Sequence, residues 1–105
     1  MSLSTHVLDA VVGQPAAGVR VRLYRGEELL TEAETDADGR IRGVFPELAA
    51  GAHRLVFETG EYFAERGVSS FYPEVAVSFA VDDPGRHHHV PLLLSPFAYS
   101  TYRGS

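Results

Sequence analysis

Residues 75–81 read VAVSFAV, and the next four residues, 82–85, read DDPG. Large apolar side chains alternate with Ala and Ser through the first stretch, which is the two-residue period of a β-strand with one buried face. Asp, Pro and Gly are turn-forming residues that close such a strand. This stretch therefore predicts a strand of a sheet that packs against a core.

The same alternation recurs on both sides of that stretch. It predicts further strands at residues 5–12, 19–24, 54–58, 89–94 and 97–102. Turn sequences separate these segments, and residues 25–28 (RGEE) predict a hairpin turn. Strands with turns between them favour an all-β, two-sheet sandwich over a βαβ sheet.

One segment departs from the strand pattern. Residues 60–67 (GEYFAERG) predict one or two helical turns that end at Gly67. The 105 residues contain no linker, internal repeat or low-complexity segment. The chain is therefore expected to form a single domain over residues 1–105.

The composition excludes several kinds of chemistry. The chain has nine Arg, no Lys, no Cys and a formal net charge of −5. Disulfides, thiolate nucleophiles, Cys-ligated metals and lysine Schiff bases are therefore excluded. The acidic balance argues against nucleic acid as a partner. No apolar run is long enough to span a membrane, and residues 1–6 lack the signal-peptide pattern, so a cytoplasmic location is expected.

The run His87-His88-His89 is the most unusual stretch of the chain. On a strand, His87 and His89 point to one face and His88 to the other. Three interpretations remain open from spacing alone: a solvated polar strand end, acid–base groups, or two metal ligands completed by a third such as His6. Without an identified third ligand, the metal interpretation is weak.

Other polar residues are ambiguous when taken singly. His6 lies in an apolar strand, where a lone histidine is more often structural, and Arg40 follows an Asp-Gly turn as many loop arginines do. Residues 97–105 are aromatic and rich in hydroxyls up to the last residue. Because chain ends are disordered unless they are tied down, this tail is expected to be buried in a core, an interface or a site. Gly104 allows its backbone to pass close to another group.

Several stretches together resemble the transthyretin-like family and, within it, the 5-hydroxyisourate hydrolases. They are LSTHVLD at 3–9, TDADGR at 35–40, GEYF at 60–63, FYPEV at 71–75, HHHVPLLLSP at 87–96 and YSTYRGS at 99–105. The final YRGS is the most specific of them, because it separates the hydrolases from the hormone-carrying transthyretins. The resemblance spans nearly the whole chain.

The resemblance implies a two-sheet β-sandwich of about eight strands with one short helix. It implies a homotetramer, a dimer of dimers, with active sites between the dimers. The implied reaction is hydrolysis of 5-hydroxyisourate, the product of urate oxidation, to 2-oxo-4-hydroxy-4-carboxy-5-ureidoimidazoline on the way to allantoin. No metal or organic cofactor is implied, and no nucleic acid or membrane partner is expected.

The resemblance also assigns site residues. The family's catalytic groups fall on His6, Arg40 and His89, and the first two also bind substrate. Further substrate-binding positions fall on His87, Tyr102, Arg103 and Ser105. His88 stands where the family usually has Tyr, which places any packing role of that tyrosine in question but not catalysis.

A mechanism follows as a hypothesis. Water attacks a ring carbonyl, Arg40 anchors and polarises the substrate, and His6 and His89 handle the proton of the water. Burial would lower a histidine's pKa and keep it able to accept a proton, but the sequence leaves open which histidine is the base. Two other functions remain as alternatives: a carrier of a small aromatic ligand and a generic interaction domain. Convergence of His6, Arg40, His89 and Tyr102 in one cleft would favour the hydrolase.

Overall fold

The structure is a computed structural model that describes residues 3–105. Residues 1 and 2, which belong to the expected domain and to the stretch inspected for a signal peptide, lie outside that range. The elements, in chain order, are β1 Leu3–Asp9, β2 Gln14–Pro15, β3 Arg20–Arg25, β4 Glu28–Glu34, β5 Arg40–Ile41, β6 Gly51–Phe57, α1 Thr59–Glu65, β7 Val75–Val81, β8 His88–Leu94 and β9 Tyr99–Thr101.

The strands form two sheets that pack face to face. One sheet has the order β2-β1-β8-β9, with β5 also paired to β1, and the other has the order β4-β3-β6-β7. The predicted two-sheet sandwich with one short helix is confirmed. Residues 3–105 contain nine strands, against the eight or so that the resemblance implied. The alternation did not reveal β2 and β5, because strands of two residues are too short to show a period.

The core lies between the sheets and follows the alternation in the sequence. Val75, Val77 and Val81 of β7 are buried, and so are Leu92 and Leu94 of β8. Their neighbours along each strand include the half-buried and exposed residues of the outer faces. The period of two therefore sorts each strand into a core face and an outer face, as predicted.

Strand boundaries differ from the predicted ones where side chains bind the backbone. β1 ends at Asp9 instead of continuing to residue 12, because Asp9 Oδ1 accepts a hydrogen bond from Val11 N (2.9 Å) and Asp9 O accepts one from Gly13 N (2.9 Å). These bonds turn the chain. The predicted hairpin turn after β3 is confirmed, and it leads into the edge strand β4. The alternation did not reveal β4, because most of its side chains are exposed or half-buried.

β1 and β8 pair in parallel, from Leu3 opposite His88 to Asp9 opposite Leu94. This pairing brings the strand that carries His6 beside the histidine run. No local pattern in the sequence predicts it, because the two strands lie at opposite ends of the chain.

Helix α1 packs against the core through Tyr62 and Phe63. It ends at Glu65, and Gly67, with a φ of 69°, closes it as predicted, because Gly67 N donates to Ala64 O and Val68 N donates to Phe63 O, both at 3.0 Å. The Tyr62 hydroxyl donates to Asp9 Oδ2 at 2.8 Å, which ties the helix to β1. Burial, followed by this bond, raises the pKa of Tyr62 to about 12. No helix within residues 3–105 has the length and apolar character needed to cross a bilayer.

Candidate active site

The outer face of the five-stranded sheet carries most of the polar groups predicted to act together. Ser4 and His6 are the half-buried, outward residues of β1. Ser4 lies opposite His89 of β8, and His6 lies opposite Arg40 of β5. Residues at paired positions share a face of the sheet. Three adjacent strands therefore present these four side chains side by side.

A cleft of about 230 Å³ opens on this face. It is lined by Ser4, Thr5, Arg40, Arg42, His87, His89 and Ser105. Two of these residues are permanent cations, two are histidines, and none has a carboxylate side chain. Such a lining suits a small polar molecule that is anionic or rich in hydrogen-bond acceptors.

Arg40 is presented by a tightly bonded turn. Asp36 Oδ1 accepts hydrogen bonds from Asp38 N (2.9 Å) and Arg40 N (3.0 Å), and the bond from Arg40 is the main reason that the pKa of Asp36 is lowered. Gly39 has a φ of 75°, and a Cβ there would lie 2.4 Å from Val7 O. The turn therefore needs glycine, both for its backbone conformation and for its close approach to β1.

Within the described part of the chain, no carboxylate lies at ion-pair distance from the guanidinium groups of the cleft, although both charges act on Asp36 from further away. The ion pairs among residues 3–105 belong to Arg20 and Arg22, on the other sheet. Arg40 is half-buried and Arg42 is exposed. The N–H donors of both guanidinium groups are therefore available to a ligand.

His89 is held on both sides. Its Nδ1 lies 2.8 Å from Ser4 Oγ, and its main-chain oxygen accepts a hydrogen bond from Gly104 N at 2.9 Å. A Cβ on Gly104 would lie 2.3 Å from His89 Cδ2, so the glycine backbone packs against the imidazole. Because Nδ1 is engaged by Ser4, Nε2 is the ring nitrogen available to a ligand or to water.

The environment of His89 favours the neutral imidazole. Burial lowers the pKa of His89 below its ordinary value of 6.5, and the charges of Arg40, His6 and His87 lower it further. A main-chain hydrogen bond with Ser4 acts in the opposite direction. A neutral imidazole at neutral pH can accept a proton, which is what a general base must do.

The other two candidate histidines differ from His89. His87 is exposed, and its Nε2 lies 2.9 Å from the same Ser4 Oγ. His6 Nε2 lies 3.0 Å from Asp38 O. Because a carbonyl only accepts, that nitrogen of His6 carries hydrogen and Nδ1 holds the lone pair. His6 is not among the residues that line the cleft, but it borders the cleft beside Arg40.

Tyr102 and Arg103 lie on the other side of His89. They line a second cavity, of about 290 Å³, which His88 and His89 also line. Tyr102 is 59% exposed. The single chain thus brings Arg40, His87, His89 and Ser105 into one cleft but leaves Tyr102 and Arg103 outside it.

The C-terminal tail is not buried in the core of its own chain. Phe97 is 67% exposed and Tyr99 is 41% exposed. The prediction that the tail is buried in the core is therefore wrong. Burial in an interface between subunits or in a binding site remains a prediction. Gly104 makes the close approach that was expected of it, and its partner is His89.

His88 behaves unlike its two neighbours. It points into the sandwich, is only 6% exposed, and neither of its ring nitrogens has a hydrogen-bond partner among the described residues. The interpretation of the histidine run as a solvated strand end is therefore wrong for this residue. A buried imidazole without hydrogen-bond partners costs stability.

Three lining residues, Ser4, Thr5 and Arg42, were missed from the sequence, although a signal was present for Ser4 and Arg42. Ser4 lies two residues before His6, and Arg42 lies two residues after Arg40. A spacing of two places side chains on the same face of an extended segment. Within residues 3–105, no group of three or more His, Asp or Glu side chains is placed to bind a metal ion.

Comparison with known proteins shows the family of this chain. The model of the HIUase/Transthyretin family matches residues 3–104. The 5-hydroxyisourate hydrolase of Caulobacter vibrioides is 50% identical, over 98% of this chain and 97% of that protein.

Solved structures superpose over almost the whole chain. The 5-hydroxyisourate hydrolase of Klebsiella pneumoniae aligns with a TM-score of 0.90 and 42% identity, over 99% of this chain and 93% of that one. Sea bream transthyretin in complex with thyroxine aligns with a TM-score of 0.92 and 31% identity, over 99% and 95%. The transthyretin-like sandwich is thereby confirmed, and the chain belongs to the HIUase/Transthyretin family.

Proposed function

We propose that this chain hydrolyses 5-hydroxyisourate to 2-oxo-4-hydroxy-4-carboxy-5-ureidoimidazoline, a step in the degradation of urate to allantoin. The observation that carries the proposal is one cleft in which the unpaired guanidinium of Arg40 and the low-pKa imidazole of His89 occur together. Relatives named 5-hydroxyisourate hydrolase, 45% to 50% identical over 98% of the chain, support the substrate.

The reaction adds one water molecule and opens a ring. The water oxygen bonds to a ring carbonyl carbon, and the carbonyl oxygen takes up negative charge. Arg40 donates hydrogen bonds to that oxygen or to the adjacent acceptor edge of the substrate, and it carries no carboxylate that would compete. Stabilising the developing oxyanion lowers the barrier for water attack.

His89 Nε2 is the proposed proton acceptor. It takes a proton from the attacking water, and the carbon–nitrogen bond of the ring then breaks. The same proton passes to the departing nitrogen, which leaves His89 neutral for the next cycle. The lowered pKa of His89 favours the neutral imidazole, which can accept a proton.

The remaining predicted residues act in supporting roles under this proposal. His6 donates from Nε2 to Asp38 O, which orients its ring beside Arg40, so it can bind substrate through Nδ1. Ser105 and His87 line the cleft and can contact polar edges of the substrate. Tyr102 and Arg103 reach the substrate only if the cleft is extended along the outer face by another subunit.

The proposal includes a homotetramer, a dimer of dimers, with the sites between dimers. Within the described residues, β7 and β9 are edge strands whose outer sides are unpaired. The outer face beside the cleft exposes Leu93 at 37%. Light scattering of the purified chain should give four times the mass of one chain, and a monomer that turns over substrate would refute shared sites.

The direct test uses substrate made in place from urate and urate oxidase, followed by ultraviolet absorbance. The chain, treated with EDTA, should accelerate the decay of 5-hydroxyisourate in proportion to its concentration. A rate equal to the uncatalysed rate would overturn the proposal. Stoichiometric ligand binding without turnover would indicate instead a carrier, as in the thyroxine complex of sea bream transthyretin.

A further inference from the structure

One hydroxyl group lies between two imidazoles beside the cleft. Ser4 Oγ is 2.8 Å from His89 Nδ1 and 2.9 Å from His87 Nε2. Both distances are those of good hydrogen bonds. The register accounts for the contact, because Ser4 stands directly opposite His89 in the parallel β1–β8 pair.

The number of hydrogens restricts how the three groups can bond. A serine hydroxyl has one hydrogen to donate and can accept at its lone pairs. It can therefore donate to only one of the two ring nitrogens, and the other nitrogen must donate to it. The tautomers of His87 and His89 are thus coupled through Ser4.

The proposed role of His89 selects the direction of this chain of bonds. If Nε2 accepts a proton from water, the neutral ring must carry its hydrogen on Nδ1, and the group that Nδ1 contacts is Ser4 Oγ. The ring nitrogen on the Ser4 side therefore carries hydrogen. His89 Nδ1 then donates to Ser4 Oγ, and Ser4 Oγ donates to His87 Nε2.

The geometry points to Ser4 as a positioning residue that holds His89 in the Nδ1–H tautomer, with the Nε2 lone pair directed to the cleft. This inference rests on the proposed function, which requires a lone pair on Nε2, but the tautomer can be measured without any substrate. His87 acquires a role as the acceptor of the hydrogen on Ser4 Oγ. In the opposite tautomer, Nε2 would carry hydrogen and could not accept a proton from water.

Nitrogen NMR of the ¹⁵N-histidine-labelled chain tests the tautomer. At a pH where His89 is neutral, the wild-type chain should show a protonated Nδ1 and an unprotonated Nε2 for His89. Ser4→Ala should move His89 towards the Nε2–H form, which free imidazole side chains prefer in water. Ser4→Thr keeps the hydroxyl and should keep the wild-type tautomer.

Kinetics give a second readout. Ser4→Ala should lower kcat by about tenfold, the effect of losing one well-formed hydrogen bond, while KM changes little. Ser4→Thr should restore most of kcat. Ser69→Ala, an exposed loop serine outside the cleft, is the matched control and should leave both constants and the tautomer unchanged.

The outcomes separate this inference from the proposed function. A wild-type chain that hydrolyses the substrate with His89 in the Nε2–H form would overturn the role of Ser4 alone. A chain with the Nδ1–H form that does not hydrolyse the substrate would overturn the proposed function alone. Equal kcat for Ser4→Ala and wild type would also refute the positioning role, and thermal melting of each variant shows whether it is folded.

Discussion

The outer faces of the two sheets both carry arginines but use them differently. On the four-stranded sheet, Arg22 Nε lies 2.6 Å from Glu32 Oε2, and the guanidinium of Arg54 stacks over the Tyr24 ring at 4.8 Å. On the five-stranded sheet, Arg40 has no carboxylate within ion-pair distance among residues 3–105. An arginine that is paired with a carboxylate or an aromatic ring of the same chain supports the fold, whereas an arginine without an ion-pair partner is available to bind a ligand.

The largest expected effect comes from removing one arginine from each face. Arg40→Gln should lower kcat/KM for 5-hydroxyisourate by about 100- to 1,000-fold, because the donor to the developing oxyanion is lost. Arg22→Gln, the matched variant on the other sheet, should leave kcat/KM unchanged and slightly lower the melting temperature. Equal losses of activity in the two variants would contradict the distinction between the faces.

That distinction could be predicted from the sequence only in part. The strand alternation placed His87 and His89 on one face and His88 on the other, which the burial of His88 and the half-buried state of His89 confirm. The pairing of Arg22 with Glu32 depends on strand register, and that of β1 with β8 joins distant segments, so neither follows from local pattern. The resemblance, rather than periodicity, singled out Arg40.

Ser4 and His88 also show which side-chain contacts cannot be predicted from one sequence. The spacing of Ser4 from His6 could have predicted that the two side chains share a face. The contacts of Ser4 with His87 and His89 could not be predicted, because they depend on the parallel register of β1 and β8. His88 was correctly expected to face away from His87 and His89. Its burial without hydrogen-bond partners follows from packing between the sheets, which one sequence does not reveal.

A second prediction concerns the close approach of the Gly104 backbone to His89. Gly104→Ala would place a Cβ 2.3 Å from His89 Cδ2 and should displace the imidazole. A displacement of about 1 Å at a catalytic group lowers activity by about 100-fold. The control is Gly85→Ala, where a Cβ would meet only Asp83 Oδ1 at 3.4 Å, and it should retain full activity.

A third variant makes the cleft resemble the other face. Arg42→Glu gives Arg40 a carboxylate two residues away and removes one cation from the lining. KM should rise by roughly tenfold, and the change should diminish at high salt, because exposed charges are screened. An unchanged KM would show that the positive charge of the cleft arginines does not contribute to substrate binding.

The smallest expected effect is a shift of the pH profile. A general base must be neutral, so kcat/KM should fall as pH decreases through the pKa of His89, and this fall should lie below pH 6.5. The charge of Arg40 contributes to lowering that pKa, so the pKa of His89 in Arg40→Gln, titrated by NMR, should move upward. A downward shift would show that Arg40 does not act on His89 as described.

Chemical rescue of His89→Ala tests the central claim most directly. Removing the ring leaves a slot against Gly104 and Pro91, which the imidazole now occupies. We expect kcat/KM to fall by about 100- to 1,000-fold and to recover with added imidazole in proportion to the neutral form, whereas Arg40→Gln should not recover. A His89→Ala variant that keeps the wild-type rate without imidazole would contradict the claim that His89 is the base.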